Sequence, residues 1–99
     1  AVEYIESALD KDISIVELAA QADLSPWHFC RAFKQSVGLP PHKFQTKLRI
    51  NRAIALLKHT RLSVLEIALV VGFNSSKSFS QAFCRTMGCS PSVYRSTMA

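Results

Sequence analysis

Sliding the chain along itself exposes an internal repeat, and repeats restrict the possible folds more sharply than composition does. At an offset of 49, Ser14-x-x-Glu17 overlays Ser63-x-x-Glu66, and Ala19 overlays Ala68. After one inserted residue the offset becomes 50. Phe29, Ala32, Phe33, Gly38 and Pro41 then overlay Phe79, Ala82, Phe83, Gly88 and Pro91, with Phe44 over Tyr94. The insertion falls between Ala22 and Trp27 in one copy and between Val71 and Lys77 in the other. An insertion marks a loop, so each copy reads as helix, short turn, helix.

Local chemistry supplies the helix ends. Ser14 with Glu17 and Ser63 with Glu66 have capping-box spacing, in which serine accepts from an early helical N–H and glutamate reaches back to the serine N–H. Ile13 with Leu18 and Leu62 with Ile67 flank these boxes as hydrophobic staples. The first short helix is expected to end near Ala22, and its counterpart before Gly72, which suits a left-handed turn. Ser25-Pro26 opens the next helix with an N-cap serine and a proline at the first helical position, and Gly38 closes it after Val37. In the second copy Asn74 or Ser75 caps and Gly88 terminates. Phe29 with Phe33, and Phe79 with Phe83, sit four apart on faces that point to a core.

Pro41 begins a long helix to about Lys58, with Ile50, Ala53, Ile54 and Leu57 on one stripe. Ser90-Pro91 begins a short final helix, and Val2, Ile5 and Leu9 mark an opening one from Val2 to Leu9. The expected fold is all-α: seven helices, forming two helix-turn-helix subdomains joined by a long linker helix. The single domain then divides into a first unit at 1–40, a linker helix at 41–59 and a second unit at 60–99. A start at Ala1 rather than methionine suits a segment of a longer chain.

Charge is unevenly placed. Residues 1–30 hold Glu3, Glu6, Asp10, Asp12, Glu17 and Asp23 against Lys11 alone, a net −5; from 31 onward eleven basic residues face Glu66 alone, a net +10. Such asymmetry points to a polyanion on one side of the molecule. Cys30, Cys84 and Cys89 cannot all pair within one chain, and without a signal peptide they read as free thiols of a cytoplasmic protein. His28-x-Cys30 and Cys84-x4-Cys89 lack the second half of any common zinc site, so no metal or cofactor is implied. No apolar run reaches the ~18 to 20 residues needed to cross a bilayer.

A short helix, tight turn and longer helix is the arrangement that places the second helix in a DNA major groove. With Phe29 and Phe33 inward, Trp27, Cys30, Arg31 and Lys34 face outward on the first reading helix. Arg31 can form a bidentate bond to a guanine edge, and Trp27 and Cys30 can touch a thymine methyl or a sugar. Trp27 has a second reading, as part of the core. On the second reading helix the equivalent stripe is Ser76, Lys77, Ser80, Gln81 and Arg85. Gln81 suits adenine, and Lys77 a guanine or phosphate. The linker helix spans about 27 Å at 1.5 Å per residue, against ~34 Å between successive major grooves on one side of B-DNA. One spacer of this length suits both units on one face of duplex DNA. Candidate phosphate contacts are Ser25, Lys34, Lys43, Lys47, Arg49, Ser75, Ser80 and Arg85, which add salt-dependent affinity without sequence information.

The sequence resembles the AraC/XylS family of bacterial transcription activators. The most specific run is Ile67-Ala68, Val71-Gly72-Phe73, Ser78-Phe79-Ser80, Phe83, Gly88, Ser90-Pro91 and Tyr94-Arg95. Leu18-Ala19, Ser25, Phe29, Arg31, Phe33, Gly38 and Pro41 are similar in the first unit, as is Leu48-Arg49-Ile50 on the linker. The resemblance implies seven helices, with the third and sixth in adjacent major grooves, and recruitment of RNA polymerase at a promoter. It also implies a separate N-terminal domain for small-molecule sensing or dimerisation, absent from these 99 residues. By position, Trp27, Cys30 and Arg31 fall where members contact DNA in the first unit, and Ser76, Lys77 and Gln81 in the second. Gln81 stands where an arginine is common, and Cys84 where a lysine is common.

Two other classes fit less well. An enzyme would need a nucleophile and base at usable spacing or a Gly-rich phosphate loop, and neither is present. A protein- or RNA-binding module accommodates the charge but leaves the duplicated turns and the Trp27/Arg31 stripe without a purpose.

Overall fold

In the computed structural model, residues 2–98 are described, and they form seven helices. These are α1 (Val2–Ser7), α2 (Ile15–Gln21), α3 (Pro26–Val37), α4 (Pro41–His59), α5 (Val64–Val71), α6 (Ser76–Met87) and α7 (Pro91–Met98). No strand occurs among the described residues. The molecule is a rod of 46 × 21 × 21 Å.

The expected punctuation sets the helix ends. Ser25 Oγ accepts from the His28 N–H at 3.2 Å and Ser75 Oγ from the Ser78 N–H at 3.1 Å, so Ser75 rather than Asn74 is the cap. The residue inserted between the repeats is therefore Asn74. Gly38 and Gly88 end α3 and α6 in the left-handed conformation, which costs a residue without Cβ little. Ser63 and Glu66 form the complete capping box, each bond 3.1 Å. At Ser14 only the first half forms: its Oγ accepts from the Glu17 N–H at 3.3 Å. The α1 helix is shorter than the periodicity of Val2, Ile5 and Leu9 predicts. It stops at Ser7, where the chain enters a turn closed by the Lys11 N–H on the Ala8 carbonyl at 3.0 Å, and the carbonyls of Leu9 and Lys11 beyond it accept hydrogen bonds from α4.

Two apolar clusters fill the rod, one at each end. The first gathers Ile5, Ile13, Leu18, Ala19, Phe29 and Phe33, with Phe44 and Leu48 of α4 packed against it. The second gathers Ile50, Ala53 and Leu57 of α4 with Ile67, Ala68, Val71, Phe79, Ala82 and Phe83. Aromatic rings run through both. Phe29, Phe33 and Phe44 follow one another at centroid spacings of 6.0 and 5.6 Å, and Phe73, Phe79, Phe83 and Tyr94 at 5.4, 5.7 and 5.5 Å. Each such pair contributes about 0.5–1.5 kcal/mol beyond the burial itself. The staple residues Ile13 and Leu18 share the first cluster, and Leu62 packs with Ile67 in the second. This packing turns the opposite faces of α3 and α6 outward.

Candidate nucleic-acid interface

On α3 the inward anchors are Phe29 and Phe33, so residues about half a turn away emerge into solvent. Trp27 is 62% exposed, which removes it from the core. It is nevertheless held in place: the Arg31 guanidinium lies 5.3 Å from the Trp27 ring centroid, and the His28 ring meets it edge-on at 5.0 Å. An indole and a cation four residues apart thus make one amphipathic platform, with the π face attracting the guanidinium. His28 is itself tied to the cap by a 2.6 Å hydrogen bond between Nδ1 and Ser25 Oγ. Lys34 is exposed one turn beyond Arg31. Cys30 differs from the expectation of an outward residue: it is half-buried and packs against the first core.

The stripe on α6 is smaller and more polar. Ser76, Lys77, Gln81 and Arg85 are exposed, and Ser80 is half-buried beside Phe79. Arg85 lies back along its own helix, Nε donating to the Gln81 carbonyl at 3.4 Å. Exposed Cys84 stands between Gln81 and the free end of α6, lining a shallow hollow with Gln81 and Arg85. Between α4 and α6 runs a groove of about 560 Å³ with a basic wall. Lys43 and Lys47 line it from α4, and Gln81 and Arg85 from α6.

One charged residue proposed for phosphate does not face outward. Arg49 is 7% exposed, and its Nε donates to the Leu9 carbonyl at 2.8 Å and its NH2 to the Lys11 carbonyl at 3.1 Å. The guanidinium also lies 3.5 Å from Asp12 and 5.6 Å from the centre of the Phe73 ring. With its donors turned onto carbonyls of its own chain, it is not placed to reach a phosphate. The sequence reading also passed over His28 and Asn51. His28 lies one residue from Trp27 on the exposed stripe. Asn51 extends the i, i+4 series of Lys43 and Lys47 along the groove.

Known proteins share both this architecture and the sequence that builds it. A family model described as a helix-turn-helix domain matches residues 18–97. The regulator MtrA of Neisseria gonorrhoeae is 42% identical over 94 residues, which is 92% of this chain and 31% of that protein. The transcriptional activator AarP of Providencia stuartii is 36% identical over 92 residues, covering 93% of this chain and 68% of AarP. The chain belongs to the AraC family of bacterial transcriptional regulators. Within it, these residues correspond to the DNA-binding domain. The C-terminal domain of the response regulator AraT from Geobacillus stearothermophilus superposes with a TM-score of 0.88 at 35% identity, over 96% of this chain and 79% of that one. The DNA-binding domain of AdpA, solved with a target DNA, superposes with a TM-score of 0.89 at 31% identity, over 97% of this chain and 86% of that one. The chain spans only 37% and 31% of the first two regulators it matches, the first being LumQ of Photobacterium leiognathi. No helix among the described residues is long and apolar enough to cross a membrane.

Proposed function

We propose that this AraC-family domain reads duplex DNA by laying α3 and α6 into adjacent major grooves. The observation that carries the reading is the exposed Trp27–Arg31 platform on a helix whose other face is locked by Phe29 and Phe33. An exposed cation–π contact contributes about 0.5–1 kcal/mol, and a bidentate arginine–guanine contact about 1–3 kcal/mol. Arg31 therefore gains by leaving the ring for a guanine edge, and Trp27 is left free to cover a thymine methyl or a sugar. Cys30, half-buried, offers an apolar contact at the floor of that surface. On α6, Lys77 and Gln81 are the base readers, with Ser76 beside them.

Lys34, Lys43, Lys47 and Arg85 supply cations for phosphates. Ser25 and Ser75 order two helix N-termini whose N–H groups favour anions, and Ser80 adds a hydroxyl. The intact regulator is proposed to carry a further sensor or dimerisation domain, through which any small-molecule effector would act. It is also proposed to activate transcription by recruiting RNA polymerase; the names of AarP and of RhaR from Mannheimia succiniciproducens, both described as activators, support that direction.

The test is binding to a site selected from a random duplex library, repeated across a salt series. Four neutralised phosphates imply a slope of log K against log salt of about −4. Arg31→Ala is expected to weaken the selected site by about 1–3 kcal/mol and to relax preference at one base pair. A uniform loss on all sequences would remove base reading by Arg31. In vitro transcription with the intact regulator tests activation, and unchanged transcript levels would remove it.

A further inference from the structure

Arg49 combines two hydrogen bonds, an ion pair and a contact with an aromatic ring, and comparing the two units shows what part of that engagement needs explaining. In each unit, the helix after the helix-turn-helix sends a donor back to the loop before it. In the first unit Gln45 Nε2 donates to the Lys11 carbonyl at 2.6 Å. In the second, Arg95 donates to the carbonyls of Leu57, Thr60 and Leu62 at 3.3, 3.3 and 2.6 Å. Gln45 overlays Arg95 at the offset of 50, and Lys11 overlays Thr60 at the offset of 49. These ties close each unit on itself.

Arg49, one turn beyond Gln45, reaches from the first unit to the second. Its donors hold Leu9 and Lys11 of the first unit, while its central carbon lies over the Phe73 ring of the second, 5.6 Å from the centroid. Gly72, beside Phe73, leaves room for it: a Cβ there would lie 2.8 Å from the guanidinium. Both Gly72 and Phe73 belong to the turn that sets the direction of α6. The loop held at Leu9 and Lys11 leads into α2 and so sets the direction of α3. A guanidinium is rigid and planar, with donors at its edge and an apolar face for stacking. It can therefore fix two surfaces at once, where a methionine would fill space without fixing either angle.

We infer that Arg49 is a positioning residue that sets the distance and rotation between α3 and α6, and thereby the spacing of the two half-sites the domain accepts. The half-site part rests on the DNA-binding reading above; the geometric part does not. Two rigidly linked modules gain affinity only where the site spacing matches the link, so a loosened link broadens the accepted spacings.

Two measurements separate these parts. Spin labels at Ser36→Cys and Thr86→Cys, equivalent exposed positions on α3 and α6, report the inter-unit distance without DNA. The background is Cys30→Ala, Cys84→Ser and Cys89→Ser, and thermal melting verifies folding. Arg49→Met is expected to broaden the distance distribution, Arg49→Lys to broaden it less, and Arg95→Met to leave it unchanged. Phe73→Leu, which removes the ring beneath the guanidinium, is expected to broaden it too and decides the matter if Arg49→Met does not fold. A narrow, unmoved distribution in the folded variant overturns the inference. In the second measurement, one base pair is inserted between the half-sites of the selected duplex. The parent chain is expected to lose about tenfold in affinity and Arg49→Met no more than about twofold. Equal losses in parent and variant overturn the specificity role. Failure of the parent to bind any selected duplex counts against the proposed function, and the spin-label distances then judge Arg49 alone.

Discussion

Ala32 and Ala82 hold the same place in the two copies, yet Ala82 is buried in the second core while Ala32 lies open to solvent. The linker helix accounts for the difference. The buried residues Ile50, Ala53 and Leu57 of α4 all belong to the second core, whereas α1 offers the first core Ile5 alone as a fully buried side chain. Phe79 and Phe83 accordingly have no exposed surface, while Phe29, Ala32, Phe33 and Val37 line an open groove of about 460 Å³. The large exposed aromatic and its stacked arginine sit on the first unit, and small polar side chains on the second. A duplicated motif has thus diverged in opposite senses on its two faces, with the better core beneath the plainer surface.

The largest effect separates the cores. Phe83→Ala is expected to cost about 4–5 kcal/mol and Phe33→Ala about 3 kcal/mol, because only the second site is enclosed on every side. Against a total of roughly 5–15 kcal/mol for a chain of this size, the first of these leaves little margin. Urea unfolding followed by circular dichroism measures both, and equal costs would break the contrast.

The turns come next. Asp23 overlays Gly72, and both adopt positive φ, 57° and 109°. Each turn closes with the same bond: the Leu24 N–H reaches the Ala19 carbonyl at 2.9 Å, and the Phe73 N–H the Ala68 carbonyl at 2.8 Å. Aspartate tolerates this conformation better than most residues. Gly72→Ala must accept both the strain and the clash with Arg49, and is expected to cost about 2–3 kcal/mol. Asp23→Gly exchanges relief of strain for a freer unfolded chain and is expected to change stability by less than about 0.5 kcal/mol. Melting temperatures distinguish them, since 1 kcal/mol moves a domain of this size by about 4–8 °C.

The outer faces give the third contrast. At the selected site Gln81→Ala is expected to cost under about 1 kcal/mol, less than Arg31→Ala, because a neutral amide makes weaker contacts than a guanidinium. Gln81→Arg is expected to raise affinity and steepen the salt slope by about 1. A larger loss at Gln81 than at Arg31 would reverse the ranking of the two surfaces.

Much of this was legible because helix punctuation is local. Serine caps, prolines at first helical positions and glycines at helix ends act within a turn of where they sit, and the repeat stated most of them twice. Asp23 was legible too, had its register with Gly72 been carried through the turn. Arg49 was not. It sits in a run of cations from Arg31 to Arg61 with no acid among them, and only the fold brings carbonyls some 40 residues earlier in the chain onto it. Long-range polar contacts leave no periodic trace. Trp27 was ambiguous for a related reason: an indole serves a core or a surface equally well, and only the packing of Phe29 and Phe33 turns its position outward.

The smallest difference lies in the caps. Ser14 makes one bond of 3.3 Å, whereas Ser63 and Glu66 make two of 3.1 Å. Ser63→Ala is expected to cost about 1 kcal/mol and Ser14→Ala about half of that, within the range measured for serine caps. The reciprocal box also has a pH signature. The Ser63 backbone N–H, and then its hydroxyl, hold the Glu66 carboxyl below the ordinary glutamate value of 4.5. A lowered value in the folded state means that the charged form stabilises the fold. That contribution is fully present above pH 4.5, fades as acid is added, and is gone once pH passes below the depressed value. Carboxyl NMR titration of Glu66 is expected to show a midpoint below 4.5 that rises in Ser63→Ala. A midpoint that stays put in the variant would mean that the Ser63 hydroxyl adds nothing and that the backbone N–H alone, which alanine retains, holds the carboxylate.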